Sequence, residues 1–289
     1  MPDRTLVLQA PLTLRSLPGG LGTEVLGRAV ADVDESSFPA LYDAFLVHQL
    51  LLFRDQVLPP AAQVAFARRF GEVQVHVMDQ YHASEYPELY TLSNLDAAGN
   101  PTGKHPDRGT LVWHTDGSWR RATGQATMLY AERLPSSGGG TQWADMYAAY
   151  EALDPAERAR LEGMRAVHNL NFSRNRRHGE EPMTEAQRAA VPPVDHPIVR
   201  MHPETGRKCI FLGDHAESVV GMDYAEGRAF IDALNERIVA LARVYTHRWR
   251  PGDFMVWDNR CLLHRAESYD TAREPRVIRR CTILGEVPV

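Results

Sequence analysis

The stretch Thr110-Leu111-Val112-Trp113-His114-Thr115-Asp116-Gly117-Ser118-Trp119 belongs to a series of short apolar runs that fills the chain from residue 89 onward. The others cover residues 89–92, 126–131, 141–143, 198–201, 209–212, 245–249, 254–257 and 277–284, and Gly, Pro, Asn and Asp separate them. Runs of this length bounded by turn formers read as strands, and so many of them predict a mainly β fold, a sandwich or barrel rather than a βαβ sheet. On this reading residues 110–113 form a strand. Residues two apart on a strand face the same way, so His114 and Asp116 share a face.

Outside the strands, helical spacing covers residues 34–51, with Asp34-Glu-Ser-Ser37 as a start signal and Leu50-Leu-Leu-Phe53 following as a buried strand. Pro59-Pro60 opens a helix through Phe70 that Gly71 ends. Further helical patterns lie at 146–153, 157–164 and, most clearly, 224–242. The first 30 residues read as short strands joined by the turn Pro18-Gly19-Gly20. Residues 173–194, rich in Arg, Glu and Pro, are an excursion and a candidate lid. Without an internal repeat or linker, residues 1–289 read as one domain.

The composition, 44% hydrophobic and 24% charged, is ordinary for a soluble globular protein, and no apolar run approaches the roughly 20 residues of a membrane span. The first residues lack a secretory pattern. Three scattered cysteines without a CxxC pair argue against disulfides and thiolate zinc sites, which fits a cytoplasmic protein. A net charge of −5 gives no general attraction for nucleic acid.

A third ligand to the His114/Asp116 pair is available in His264, at the end of Trp257-Asp-Asn-Arg-Cys-Leu-Leu-His264. Two His and one carboxylate on one face of an iron leave three positions open, as non-haem Fe(II) oxygenases need. The pair has a blander reading as a strand-end hydrogen-bonding pair, and His264 as a buried histidine satisfied by a backbone carbonyl. His105-Pro106-Asp107 and His202-Pro203-Glu204 repeat the spacing, but the intervening proline and the following turn residues mark them as turns. Downstream, Arg276-Val-Ile-Arg279-Arg280 mixes arginines into a strand-like run. A buried guanidinium needs an anion, so an arginine deep in the fold implies an acidic ligand; a solvated edge strand is the alternative for at least one of the three.

Taken in order, Phe70-Gly71-Glu72, Trp113-His-Thr-Asp116, Leu134-Pro-Ser-Ser-Gly-Gly-Gly-Thr141, His202-Pro-Glu-Thr-Gly-Arg-Lys208, Trp257-Asp-Asn-Arg260, His264-Arg265 and residues 276–284 resemble the TauD/TfdA (taurine/2,4-dichlorophenoxyacetate) family of Fe(II)- and 2-oxoglutarate-dependent dioxygenases. The resemblance implies a double-stranded β-helix (jelly roll) with flanking helices. It also implies Fe(II) on His114, Asp116 and His264, 2-oxoglutarate and O2 as co-substrates, and hydroxylation with release of succinate and CO2. Arg276 would pair with the distal carboxylate of 2-oxoglutarate, with Arg279 as the alternative because the spacing to His264 is one residue long. Thr141 would bond the same co-substrate, and Arg280 would approach the substrate anion or the C1 carboxylate. His76 stands where sulfonate-oxidising relatives hold an anionic head group, and with Arg280 it would form a cationic pocket; Trp119 and Tyr81 are candidates for an aromatic slot. The expected substrate is a small anionic organic molecule, an aryloxyalkanoate, alkylsulfonate or similar carboxylate, and relatives commonly self-associate. The competing functions are a non-catalytic metal-binding sensor and, from the basic run Arg174-Asn-Arg-Arg-His178, a hydroxylase of a peptide or carrier-bound substrate.

Overall fold

The structure, a computed structural model, describes residues 12–78, 82–83, 85–176 and 182–289. In chain order these form β1 (Thr13–Ser16), β2 (Thr23–Leu26), α1 (Phe38–His48), β3 (Leu50–Phe53), α2 (Pro60–Ala67), β4 (Tyr90–Ser93), β5 (Gly124–Arg133), β6 (Thr141–Asp145), α3 (Met146–Ala152) and α4 (Pro155–Leu161). There follow β7 (Arg165–His168), α5 (Leu170–Asn175), α6 (Glu185–Ala190), β8 (Val194–Pro197), β9 (Val199–Met201), β10 (Lys208–Ile210), β11 (Ala216–Val219), α7 (Tyr224–Leu241), β12 (Val244–His247), β13 (Phe254–Asp258), β14 (Leu262–Ala266) and β15 (Val277–Leu284). The protein is mainly β with helices on the flanks.

A seven-stranded sheet runs β1-β2-β3-β13-β5-β15-β4, and a three-stranded sheet runs β12-β6-β14. Apart from the parallel β2–β3 pair, both are antiparallel. The central strands are apolar without alternation because both faces of the large sheet are covered. Along β3, Leu51 and Phe53 pack with Leu41, Phe45, Val64 and Phe66 of α1 and α2, while Leu50 and Leu52 enter a second cluster with Trp143, Leu262 and Trp257. That second cluster lies on the side where the candidate ligands gather.

Two expectations need correction. Residues 110–113 are not a strand: Asp107 caps a 3-10 turn over Arg108–Leu111 by accepting from the Gly109 N–H (2.9 Å), and the Thr110 hydroxyl bonds the Asp107 carbonyl (2.7 Å). A local side-chain acceptor satisfies backbone donors that a ladder would otherwise use, and the turn wins. Extended pairing begins only at His114. Helix α1 is also shorter than its apolar spacing, since Asp34 engages the N–H groups of Ser36 and Ser37 in a turn before it and Gln49 ends it at φ +66°. The 173–194 excursion holds the end of α5 and all of α6, with residues 177–181, including His178, outside the described residues.

Candidate metal centre

His264 stands on β14 opposite Trp143, and His114 joins the edge of the same sheet through a reciprocal backbone pair: His114 N–H to His264 O (3.0 Å) and His264 N–H to His114 O (2.8 Å). The imidazoles are thereby set with ring centroids 4.2 Å apart. Asp116 is held instead by the large sheet. The Thr127 hydroxyl on β5 donates to its Oδ2 (2.7 Å), and Arg280 on β15 donates to its Oδ1 (3.3 Å). The close approach depends on glycine, since a Cβ on Gly117 (φ +72°) would meet the backbone N of Gly124 at 2.7 Å.

His114 Nδ1 donates to the Val112 carbonyl (2.8 Å), which leaves Nε2 as the lone-pair nitrogen. That Nε2 is 3.7 Å from Asp116 Oδ1, and His264 Nε2 is 3.6 Å from Asp116 Oδ2; both gaps are too long for hydrogen bonds. One donor atom from each of the three residues lies within 4.8 Å of the others. Burial opposes ionisation of Asp116, but Arg280, His264 and His114 outweigh it and hold the carboxyl well below the usual range. Burial, then His114, pushes His264 well below the usual imidazole range. An ionised carboxylate facing two imidazole nitrogens across gaps of this size fits a divalent metal ion.

A second group, His202, Asp258 and Cys261, also brings ligand atoms together, and it contains the His202 decoy. Here both Asp258 oxygens are taken, by Arg260 (2.9 and 2.8 Å) and by His202 Nε2 (3.0 Å). Its charge is met by a guanidinium, so it is a structural ion pair. His105 sits in a turn, as its spacing predicts, with Nδ1 accepting from Asp107 N–H (3.3 Å).

Of the arginines on and before β15, none is on a solvated edge: all are buried, and β15 runs between β5 and β4. Period two sorts them. Arg280, Thr282 and Ile278 share the face of the metal ligands, whereas Arg279 points to the opposite face, where it meets Glu132 (2.9 Å), the Leu58 carbonyl and the Tyr130 ring. Arg276 is 2% exposed and has no carboxylate partner among the described residues. Its Nε donates to Gly139 O (3.2 Å), and burial draws the guanidinium down to about 10, still charged at neutral pH. Beside it the Tyr269 hydroxyl and His105 Nε2 are buried without hydrogen-bond partners among the described residues. Thr141 accepts from Trp249 Nε1–H (2.9 Å), which leaves its own hydrogen to donate elsewhere. A buried cation with orphaned polar neighbours is a site shaped for an anion.

A cleft beside the ligands is lined by His76, Tyr90, Trp119, Arg174, His215 and Arg280. His76 packs edge-on against Tyr90 (5.0 Å) and Trp119 (5.5 Å), and its Nδ1 accepts from Met78 N–H (3.1 Å). Burial, then Arg280, pushes it to about 3. It is therefore a neutral N–H donor at physiological pH rather than half of a cationic His76–Arg280 pair, and the charged groups lining the cleft are Arg280, Arg174, Asp107 and Asp116. Tyr81 lies outside the described residues. Sequence reasoning missed Arg174 and His215: Arg174 opens a basic run that reads as solvated, yet it is buried, and Ser173 Oγ pairs with His215 Nδ1 (2.8 Å). The apolar Leu170 four residues before Arg174, the spacing of one helical face, is the signal that points it inward.

The family model of the taurine catabolism dioxygenase TauD, TfdA family matches residues 13–282. The chain is 39% identical over 250 residues to the alpha-ketoglutarate-dependent 2,4-dichlorophenoxyacetate dioxygenase of Cupriavidus pinatubonensis, covering 83% of this chain and 86% of that protein. It is 35% identical over 289 residues to the (S)-phenoxypropionate/alpha-ketoglutarate-dioxygenase of Delftia acidovorans, covering 94% and 96%. The crystal structure of AAD-2 in complex with Mn(II) and N-oxalylglycine superposes with a TM-score of 0.84 at 31% identity, covering 96% of this chain and 98% of that one.

Proposed function

Because this chain belongs to the taurine catabolism dioxygenase TauD, TfdA family, we propose that it is an Fe(II)- and 2-oxoglutarate-dependent dioxygenase that oxidises a small anionic organic substrate, with aryloxyalkanoates the leading class. The observation that carries this reading is Arg276, a buried guanidinium without a carboxylate partner among the described residues, on the side of the fold that bears His114, Asp116 and His264. The two relatives described above are named for aryloxy acids, and the solved neighbour holds Mn(II) with N-oxalylglycine, which has an NH where 2-oxoglutarate has a methylene. In this reading the residues form one domain, and the two antiparallel sheets are the halves of a double-stranded β-helix, in keeping with the out-of-sequence neighbours β3-β13-β5-β15-β4.

His114, Asp116 and His264 would hold Fe(II), and bound Fe(II) with 2-oxoglutarate supplies the activation of dioxygen. Arg276 would hold the far carboxylate of the oxoacid by charge-assisted N–H bonds, and Thr141 would donate its hydroxyl hydrogen to the same molecule. Arg280, which lines the cleft beside Asp116, is the group placed to hold a substrate carboxylate, while the Trp119 and Tyr90 rings offer an apolar wall. A sensor has no need to grip an oxoacid, so Arg276 favours catalysis over the non-catalytic alternative. Of the basic run that would attract a peptide, Arg174 is buried in the cleft and Arg176 is exposed.

The test is succinate formation by purified protein with Fe(II), ascorbate and 2-oxoglutarate, screened against aryloxyacetates, 2-aryloxypropionates, alkylsulfonates and alkyl sulfates. We expect succinate to rise in step with loss of an aryloxy acid, and His114→Ala or Asp116→Ala to abolish it while His105→Ala retains Fe(II) binding. Succinate independent of every anion tested would overturn the reading.

A further inference from the structure

Asn259 touches none of the three candidate ligand side chains, yet it is buried in the turn between β13 and β14 at the centre of their support. Its backbone carbonyl accepts the Thr115 hydroxyl (2.7 Å), which pins the residue between His114 and Asp116. Its side chain has a defined orientation, and the reason is chemical. The Trp257 indole N–H can only donate, and it lies 2.9 Å from one end of the Asn259 amide, so that end is the oxygen. The other end is then the NH2 group, and it donates to Thr127 Oγ1 (2.8 Å). With its oxygen accepting from Asn259, Thr127 has a single hydrogen left to give. Two acceptors are in reach, Asp116 Oδ2 at 2.7 Å and Thr282 Oγ1 at 3.2 Å; the shorter contact and the negative charge direct it to Asp116.

We infer that Trp257, Asn259 and Thr127 form a one-way hydrogen-bond relay that positions Asp116 to bind the metal, a device resting on the metal reading of His114, Asp116 and His264. Thr127 occupies one lone pair of Oδ2 and Arg280 one of Oδ1, so the carboxylate cannot rotate about its Cβ–Cγ bond without breaking both contacts. Asn259 and Thr127 are positioning residues, since each acts through Asp116. The direction of the relay makes asparagine necessary: an aspartate of the same shape would present an oxygen to Thr127, draw the hydroxyl hydrogen away from Asp116 and add a second negative charge beside it.

The relay is tested by Mn(II) binding to the full metal-free chain, read from the paramagnetic resonance signal of unbound Mn(II), with no oxoacid or substrate present. Thr127→Val keeps the shape and removes the hydroxyl, Thr127→Ser restores it, and Asn259→Asp reverses it. Partners of metal ligands change affinity by roughly 10–100-fold when removed. The expected result is a Kd raised at least about tenfold in Thr127→Val and Asn259→Asp, with Thr127→Ser close to the unaltered chain. Thermal unfolding of each metal-free variant shows whether it folds, and if Asn259→Asp does not, the Thr127 pair decides alone. A Thr127→Val Kd raised by less than about tenfold, or a Thr127→Ser loss as large as that of Thr127→Val, overturns the relay. Failure of the unaltered chain to bind Mn(II) overturns the metal reading and the relay with it.

Discussion

Arg276 and Arg279 are three residues apart, both buried, and chemically identical, and they differ because a strand turns odd and even positions to opposite faces. Arg279 is committed to Glu132 and the Leu58 carbonyl on the side of α2, while the Arg276 guanidinium, bonded through Nε to Gly139 O, lies 6.0 Å from the ring of Tyr269, whose hydroxyl is orphaned among the described residues. Two charge-assisted hydrogen bonds to an oxoacid, each worth about 1.5–3 kcal/mol, are lost in Arg276→Leu. We expect the KM for 2-oxoglutarate to rise by about 100-fold, the equivalent of about 3 kcal/mol. Arg279→Leu should leave that KM within about threefold and lower stability by about 1–3 kcal/mol. Steady-state kinetics and urea unfolding of the two variants separate the roles; equal effects on KM would refute the assignment. The spacing from His264 leaves both arginines open, and only the register with β5, Arg279 opposite Tyr130 and Arg280 opposite Leu129, closes the choice. His114, Asp116 and His264 were legible because their types and motif point to a metal. Asn259 was not, because a turn amide carries no pattern of its own until its neighbours are placed.

At the scale of elements, the turn between β13 and β14 joins the two sheets and is clamped from outside the site. Arg260 reaches both Asp258 and Glu204; Glu204 accepts from the Tyr42 hydroxyl of α1 (2.9 Å), and His202 donates to Asp258 (3.0 Å). The His202-Pro203-Glu204 decoy is therefore a turn, as read from its proline, but one whose side chains brace the segment that carries Asn259. Removing one partner of a buried ion pair costs about 3–5 kcal/mol because it strands the other charge. Arg260→Met should lose that much in urea unfolding at pH 7.5; a loss below about 1 kcal/mol would show that the clamp is ornamental. Apolar periodicity identified β3, β5, β13, β15 and α7 because each buries a continuous or periodic face. It missed β7, β8 and β11, where polar residues such as His168, Asp195 and Glu217 interrupt the pattern, and it misread residues 110–113, where the Asp107 cap outweighs strand propensity.

Across the whole molecule, the polar groups buried away from the candidate centre decide how the fold responds to acid. The sheet β11-β7-β8 holds His168, which is 0% exposed, has no hydrogen-bond partner at either ring nitrogen among the described residues, and packs against Phe211 (5.5 Å, 23°) and His196 (5.3 Å). Burial, then His196, pushes its imidazole from 6.5 down to about 3. The unfolded chain therefore binds the proton at a higher pH than the folded one. Stability from keeping this ring neutral is present in full above pH 6.5 and is lost as the pH falls toward 3. Each pH unit below 6.5 removes about 1.4 kcal/mol, so about 2 kcal/mol is gone at pH 5. His168→Phe keeps a flat ring against Phe211 and deletes the titrating group. Between pH 7.5 and 5.0 the unfolding free energy of the variant should fall by about 2 kcal/mol less than that of the unaltered chain, measured by urea unfolding at both pH values. Buried histidines that do not touch His168 are common to both proteins and cancel in the difference, as does any packing cost of the larger ring, and the difference reads His168 together with its coupling to His196. Parallel declines would mean that His168 is protonated equally in the folded and unfolded states, and that acid sensitivity originates elsewhere.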